Sequence, residues 1–231
     1  MTLTMTESVS DFVVHRFGDE PSDDANVRVW FANLDEQHTD AAQLSWLSTS
    51  EHVRAARLKS LLERQRYLAG RVFTRRVLSN LTNIAPEDLK IIADQCGKPR
   101  LSLPAVEGRV PSNTLLKFNV SHSKNFLCIA TALGRDIGID IEVVNPNLDF
   151  LAISQACLDR EDNEQVRCSS PHERGLVFHR LWTRKEAFAK MRGHGVTSNH
   201  VHRMLSVSWS LALLEFTLGE KQVVGALAIS A

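Results

Sequence analysis

Cysteine is scarce and unpaired in this chain: Cys96, Cys128, Cys157 and Cys168 are the only four in 231 residues, and no two stand in a CxxC spacing. That excludes a disulfide framework and leaves zinc without its usual ligand pattern, so the four are expected as buried thiols. Proline (7) and glycine (11) are few, which excludes collagenous, mucin-like and low-complexity chains. No apolar run approaches the ~20 residues that cross a bilayer; Val223 to Ile229 is broken by Gly225. The first fifteen residues mix Thr, Ser, Glu and Asp, without the basic and apolar regions of a secretory signal. A cytoplasmic protein with no membrane partner is the expectation. An excess of either charge is missing too, 27 Lys and Arg offsetting 27 Asp and Glu, which argues against wrapping a long nucleic acid.

What is present is an ordinary globular composition, 43% hydrophobic and 23% charged, in 231 residues, enough for one large domain or two small ones at ~100–200 residues each. The balanced total conceals a local asymmetry. Residues 1–50 hold nine acids against Arg16 and Arg28, while residues 51–76 hold eight bases against Glu51 and Glu63. A compact anion is the natural partner of such a basic patch.

Along the chain, residues 18–26 read as a loop and Val27 to Phe31 as the strand where the sheet begins. Ser48 with Glu51 makes a capping-box pattern, predicting a helix to about Leu62. Another helix follows in ERQRYLAGRVFTRRVLSNL, with Leu68, Val72, Leu78 and Leu81 at near-helical spacing and Arg64, Arg71 and Arg75 forming a basic stripe on another face. Residues 83–87 break it, Leu89 to Ala93 is extended, and CGKPR makes a turn. Leu116 to Val120 and Phe126 to Leu133 read as strands joined by a short hairpin connection, and Ile137 to Glu142 alternates with period two, its apolar face inward and two acids on the other. Helices dominate Leu148 to Arg192, glycine at 193 stops the last of them, and strands return at Leu205 to Leu211 and Val223 to Ile229. This order gives an α+β protein of two similar halves meeting near residue 137.

In IGIDIE, Asp140 and Glu142 leave one strand face and can share a hard cation such as Mg²⁺; a solvated strand face has the same spacing. In LWTRKEAFAKMRGHG, Lys185, Glu186 and Lys190 share a helix, with Glu186 and Lys190 at i, i+4, which a surface ion pair also explains. Taken together, Asp140, Glu142 and Glu186 would form a three-carboxylate Mg²⁺ site open to water and phosphate oxygens. A lysine beside it can neutralise a diphosphate and protonate a departing phosphate. His122, flanked by Ser121 and Ser123, offers hydrogen bonds to phosphate.

In this order and at these separations, RQRYLAGR, CGKPRL, FNVSHS, IGIDIE and LWTRKEAFAKMRGHG, spanning Arg64 to Gly195, resemble the Sfp-type 4′-phosphopantetheinyl transferases. The resemblance implies an enzyme, a holo-[acyl-carrier-protein] synthase that moves 4′-phosphopantetheine from coenzyme A, its co-substrate, to a serine of an apo acyl or peptidyl carrier protein. Adenosine 3′,5′-bisphosphate is released, and the carrier serves fatty-acid, polyketide or nonribosomal-peptide synthesis. It implies Mg²⁺ held by Asp140, Glu142 and Glu186, with Glu186 as base and Lys190 as the second catalytic residue. Coenzyme A contacts are implied for Arg54, Arg57, Lys98, Pro99, Arg100, Ser121, His122, Asp140, Lys185 and Lys190. The implied fold is a monomer of two similar α/β halves about a pseudo-twofold axis with the cofactor cleft between them. Residues 1–136 would contact the nucleotide and phosphates of coenzyme A, and residues 137–231 would carry the Mg²⁺-binding carboxylates and the catalytic helix. Two other readings of the same residues are a Mg²⁺-dependent nucleotide-diphosphate hydrolase and a non-catalytic basic module that docks an acidic partner.

Overall fold

The computed structural model describes residues 5–9, 12–16, 27–102, 116–193, 209–218 and 221–230. The N-terminal part runs β1 (Met5–Val9), β2 (Phe12–Arg16), β3 (Arg28–Asn33), α1 (Ala41–Leu44), α2 (Thr49–Ala56), α3 (Leu61–Thr82), β4 (Ile91–Ala93), β5 (Pro99–Leu101), β6 (Leu116–Ser123) and β7 (Phe126–Leu133). The remainder runs β8 (Ile137–Val143), α4 (Phe150–Cys157), α5 (Arg160–Cys168), α6 (Arg174–Arg192), β9 (Trp209–Leu218) and β10 (Lys221–Ser230). The chain is α+β, as expected. The sheet begins earlier than Val27, because β1 and β2 pair ahead of β3 in one antiparallel sheet of order β1-β2-β3-β7-β6. A second sheet has the order β8-β10-β9, and β4 and β5 form a small hairpin. The loop expected at 18–26 and the start of the strand expected from Leu205 lie outside the described residues.

Period-two apolar patterning buries both faces of β3 and β7 in the first sheet. Trp30, Ala32, Leu127 and Ile129 pack against Ala69, Phe73 and Val77 of α3. From the opposite face, Val29, Cys128 and Ala130 meet Ile137, Ile139 and Ile141 of β8 and Val223, Leu227 and Ile229 of β10. The far side of the second sheet, at Ala226 and Ala228, is covered by Ala187, Phe188 and Met191 of α6. Each large side chain in these layers contributes about 1.5–3 kcal/mol by leaving water. β8 therefore lies between a sheet and a helix, and its acid-bearing side is not the solvated face its alternation also allowed.

The helix expected from Ser48 to about Leu62 ends earlier, and the one expected after it begins at Leu61. The Ser48 hydroxyl accepts the Glu51 amide and the Glu51 carboxylate accepts the Ser48 amide, so the capping box is real, but α2 ends at Ala56. Ser60 then caps α3 by accepting the Glu63 amide. The basic stripe on α3 is turned to acceptors within the chain. Arg71 Nε donates to Glu51 Oε1 at 2.5 Å, and Arg75 donates to Glu51 Oε2 at 2.9 Å and to the carbonyls of Pro86 and Leu89. Arg64 donates to the Leu58 carbonyl at 3.1 Å. These arginines stitch α2 and the 86–89 segment to α3. The four thiols are all free, but only Cys128 is buried; Cys157 is half-buried and Cys96 and Cys168 are exposed. Among the described residues no helix is long and apolar enough to cross a membrane.

Glu51 is 7% exposed. Burial alone would raise its carboxyl, but the Arg71 charge, the Ser48 amide and the hydrogen bonds from Arg75 and Arg71 outweigh it and hold the pKa at about 2. A carboxylate depressed on folding stabilises the protein above its unfolded pKa, and that contribution disappears as pH falls through the folded value. Glu51→Gln is expected to cost about 3 kcal/mol at neutral pH, since the buried guanidinium of Arg75 and the half-buried one of Arg71 lose their shared charged partner. Urea denaturation of both proteins should show the difference shrinking between about pH 4.5 and about pH 2.

Candidate functional site

Two glycines let β8 approach its neighbours closely. A Cβ at Gly138 would stand 2.1 Å from the Ala187 carbonyl oxygen and 2.3 Å from the Met191 nitrogen, and one at Gly225 would stand 2.6 Å from the Asp140 oxygen. Backbone contact between β8 and α6 at Gly138 brings the following residues of the strand under the helix. Asp140 and Lys190 are joined there by a 2.7 Å ion pair, with Asp140 buried.

The two carboxylates of β8 are held by two serines of β6. Ser121 Oγ donates to Asp140 Oδ1 at 2.8 Å and Ser123 Oγ donates to Glu142 Oε2 at 2.6 Å. The same oxygens accept main-chain amides, Ser121 from Ile141 at 3.2 Å and Ser123 from Val143 at 3.0 Å. One row further, Asn119 Oδ1 accepts the Ile139 amide at 2.9 Å. Because alternate residues of β6 share one face, this comb of side chains covers the edge of β8 that β10 does not pair, a task usually done by another strand. Lys190 Nζ completes the capacity of the Ser121 hydroxyl, donating to it at 3.2 Å.

Burial dominates the electrostatics. It raises the Asp140 carboxyl despite the Lys190 charge and the hydrogen bonds from Lys190 and Ser121. The Glu142 carboxyl rises for the same reason, against the bond from Ser123 and with help from the Asp140 charge. Glu186 reaches about 7, first through burial and then through the charges of Asp140 and Glu142, with Lys190 and Lys185 opposing. Three carboxyls therefore meet in one field with less positive charge than they need. Asp140 Oδ2 is buried without a hydrogen-bond partner among the described residues. Among those residues, no three acidic, His or Cys side chains are grouped so that they could hold a metal ion between them. The donor chemistry itself, an orphaned Asp140 carboxylate oxygen in the field of two more carboxyls short of counter-charge, fits a hard divalent cation such as Mg²⁺.

The other residues singled out in the sequence are placed as follows. Lys98, in the β4–β5 hairpin, points its ammonium at the carbonyls of Lys190 (2.7 Å), Ile137 (2.9 Å) and Met191 (3.4 Å). It thus ties the hairpin to the start of β8 and the end of α6, where a positive charge also suits the helix dipole. Burial lowers its pKa to about 8. Pro99 is half-buried at the start of β5, and Arg100 pairs with Asp94 at 2.9 Å. Lys185 donates to the Cys157 carbonyl at the end of α4. His122 is exposed. Arg54 and Arg57 are exposed on and just after α2, and the Arg54 guanidinium lies 5.6 Å from the centre of the Tyr67 ring. The hydroxyl protons of Ser121 and Ser123, read in the sequence as groups for a phosphate, are directed to Asp140 and Glu142. The polar alternation Asn119-x-Ser121-x-Ser123 at buried positions of β6 was the signal for the comb.

Residues 34–134 match a family described as 4′-phosphopantetheinyl transferase, N-terminal, and residues 136–221 match the 4′-phosphopantetheinyl transferase superfamily. The 4′-phosphopantetheinyl transferase HetI of Nostoc sp. (strain PCC 7120) is 32% identical over 171 residues, covering 74% of this chain and 70% of that protein. The 4′-phosphopantetheinyl transferase AcpT of Escherichia coli (strain K12) is 32% identical over 150 residues, 63% of this chain and 69% of its own length. The 4′-phosphopantetheinyl transferase psf-1 of Bacillus pumilus is 26% identical over 178 residues, 77% of this chain and 67% of its own length.

Proposed function

The chain belongs to the 4′-phosphopantetheinyl transferase superfamily, a family of transferases, and from that membership we propose that it moves 4′-phosphopantetheine from coenzyme A to a serine of an apo acyl or peptidyl carrier protein, with Mg²⁺, releasing adenosine 3′,5′-bisphosphate. The observation that carries the reading is the Asp140–Lys190 ion pair at the contact of β8 with α6, with one Asp140 oxygen buried and unpartnered and the charges of Asp140 and Glu142 felt at Glu186.

Asp140, Glu142 and Glu186 would hold the cation, and its charge would neutralise the diphosphate of coenzyme A. The protein's own groups do the rest. Glu186 would take the proton from the serine hydroxyl, and a divalent cation beside it would offset the burial and neighbouring charges that raise its carboxyl, keeping it ionised for that step. That serine oxygen attacks the phosphorus bearing the pantetheine. The bond from that phosphorus to the bridging oxygen breaks, and its electron pair leaves with the nucleotide phosphate. Lys190 offers its ammonium to the charge that builds on that leaving oxygen. The exposed residues Arg54, Arg57 and His122, together with Arg100, Pro99, Lys98, Lys185 and Ser121, are assigned to the nucleotide side of the cleft. In this assignment Lys98 and Lys185 act through the main-chain carbonyls they hold. The two sheets, in which the strand just before the helices of each half pairs with that half's last strand (β3 with β7, β8 with β10), support a duplicated architecture about a pseudo-twofold axis, divided near residue 136.

The test is to incubate the purified protein with coenzyme A, Mg²⁺ and apo carrier proteins. The expected product is a carrier heavier by one phosphopantetheine, with adenosine 3′,5′-bisphosphate released in equal amount. Cleavage of coenzyme A without a carrier would instead mark a hydrolase. A basic docking module is disfavoured by the internal partners of Arg64, Arg71 and Arg75.

A further inference from the structure

The comb on β6 differs in chemistry from tooth to tooth, and the difference follows what stands opposite on β8. Where Gly138 has no side chain, the tooth is Asn119, whose carbonyl oxygen accepts the Ile139 amide. Where β8 carries a carboxylate, the tooth is a serine, which accepts the amide of the next residue and has one proton left to give. That proton goes to Asp140 in one row and to Glu142 in the next. The amide bond fixes the serine oxygen, and the oxygen then fixes the carboxylate.

We propose that Ser123 is a positioning residue for Glu142: by bridging the Val143 amide and Glu142 Oε2, it sets the rotamer of that carboxylate and leaves the other oxygen presented for a divalent cation. Glu142 is half-buried and Ser123 is buried, so an unanchored carboxylate here would have other rotamers to sample and would lose order on binding the ion. The inference rests on the assignment of Glu142 to the cation, and it gives Ser123 a task distinct from touching a phosphate.

The experiment uses the full chain and Mn²⁺ alone as the probe, followed by electron paramagnetic resonance, with melting in EDTA recorded in parallel. Ser123→Ala is expected to weaken Mn²⁺ binding by about 10-fold or more, the usual cost of losing a group that orients a metal ligand. Ser123→Thr, which keeps the hydroxyl, should bind Mn²⁺ within about 3-fold of the wild type, well inside that range. Asn119→Ala is the control for a structural role: it leaves the Ile139 amide unpaired just as Ser123→Ala leaves that of Val143, so it should lower the melting temperature without changing Mn²⁺ affinity. Wild-type Mn²⁺ affinity in Ser123→Ala, or equal weakening in Asn119→Ala, overturns the proposal. Glu142→Gln separates it from the assignment beneath it. If Glu142→Gln weakens Mn²⁺ binding and Ser123→Ala does not, only the positioning role falls. If the wild type holds no Mn²⁺, or Glu142→Gln binds it unchanged, the assignment of Glu142 falls and the positioning role with it.

Discussion

Glu186→Gln is expected to reduce the rate of carrier modification by about 10³-fold, within the range associated with loss of a general base, while the protein melts no lower than the wild type in EDTA. The two outcomes share one cause. Glu186 sits at about 7, raised by burial and by the charges of Asp140 and Glu142, so its ionised form is unfavourable in the folded protein. An acid raised on folding detracts from stability above its unfolded pKa, and the loss is complete once pH passes the folded value. Glutamine keeps the volume and removes that charge. A time course of carrier mass at saturating coenzyme A reads the first outcome and a thermal melt at pH 8 reads the second. Turnover within a few-fold of wild type would remove Glu186 from the reaction. A lower melting temperature would show that its carboxylate supports the fold.

Gly138→Ala is expected to have the largest effect on stability, about 3 kcal/mol or more, beyond the usual upper range of overpacking because the obstacle is backbone. The added methyl would meet the Ala187 carbonyl at 2.1 Å and the Met191 nitrogen and Cα at 2.3 and 2.9 Å. No side chain can rotate away, so α6 must lift by about 1 Å, and interiors are packed too tightly to absorb such a shift. Lys190 rides on that turn of α6, and its 2.7 Å bond to Asp140 would open. Such a substitution should therefore lower both the denaturation midpoint and the transfer rate. A Gly138→Ala protein with wild-type values for both would mean that the contact of β8 with α6 is looser than described.

Much of this architecture was legible because it is local. Alternation in residues 137–142 gives β8, and Ser48 with Glu51 gives the start of α2, since period and capping depend on neighbours a few residues away. The division between α2 and α3 is equally local but falls several residues before the expected boundary at Leu62, where Ser60 and Glu63 repeat the spacing of Ser48 and Glu51. The carboxylates and Lys190 could be singled out by spacing and by resemblance. Their partners could not, because each contact joins distant segments. Arg71 and Arg75 look like a free basic stripe until α2 places Glu51 between them. Lys98 looks like a surface turn residue until the ends of β8 and α6 arrive at its ammonium. Ser123 looks like a phosphate donor until β8 lies alongside.

Asn119 with Ile139, Ser121 with Ile141 and Ser123 with Val143 are bonded at one constant offset along the chain. Turns ordinarily accept insertions and deletions. Here the intervening turns at residues 124–125 and 134–136 also act as a ruler: a single residue gained or lost in them, unless absorbed as a bulge, would put every tooth opposite the wrong amide and leave both acids facing nothing. Drift in length, harmless at most surface bends, is closed to this stretch.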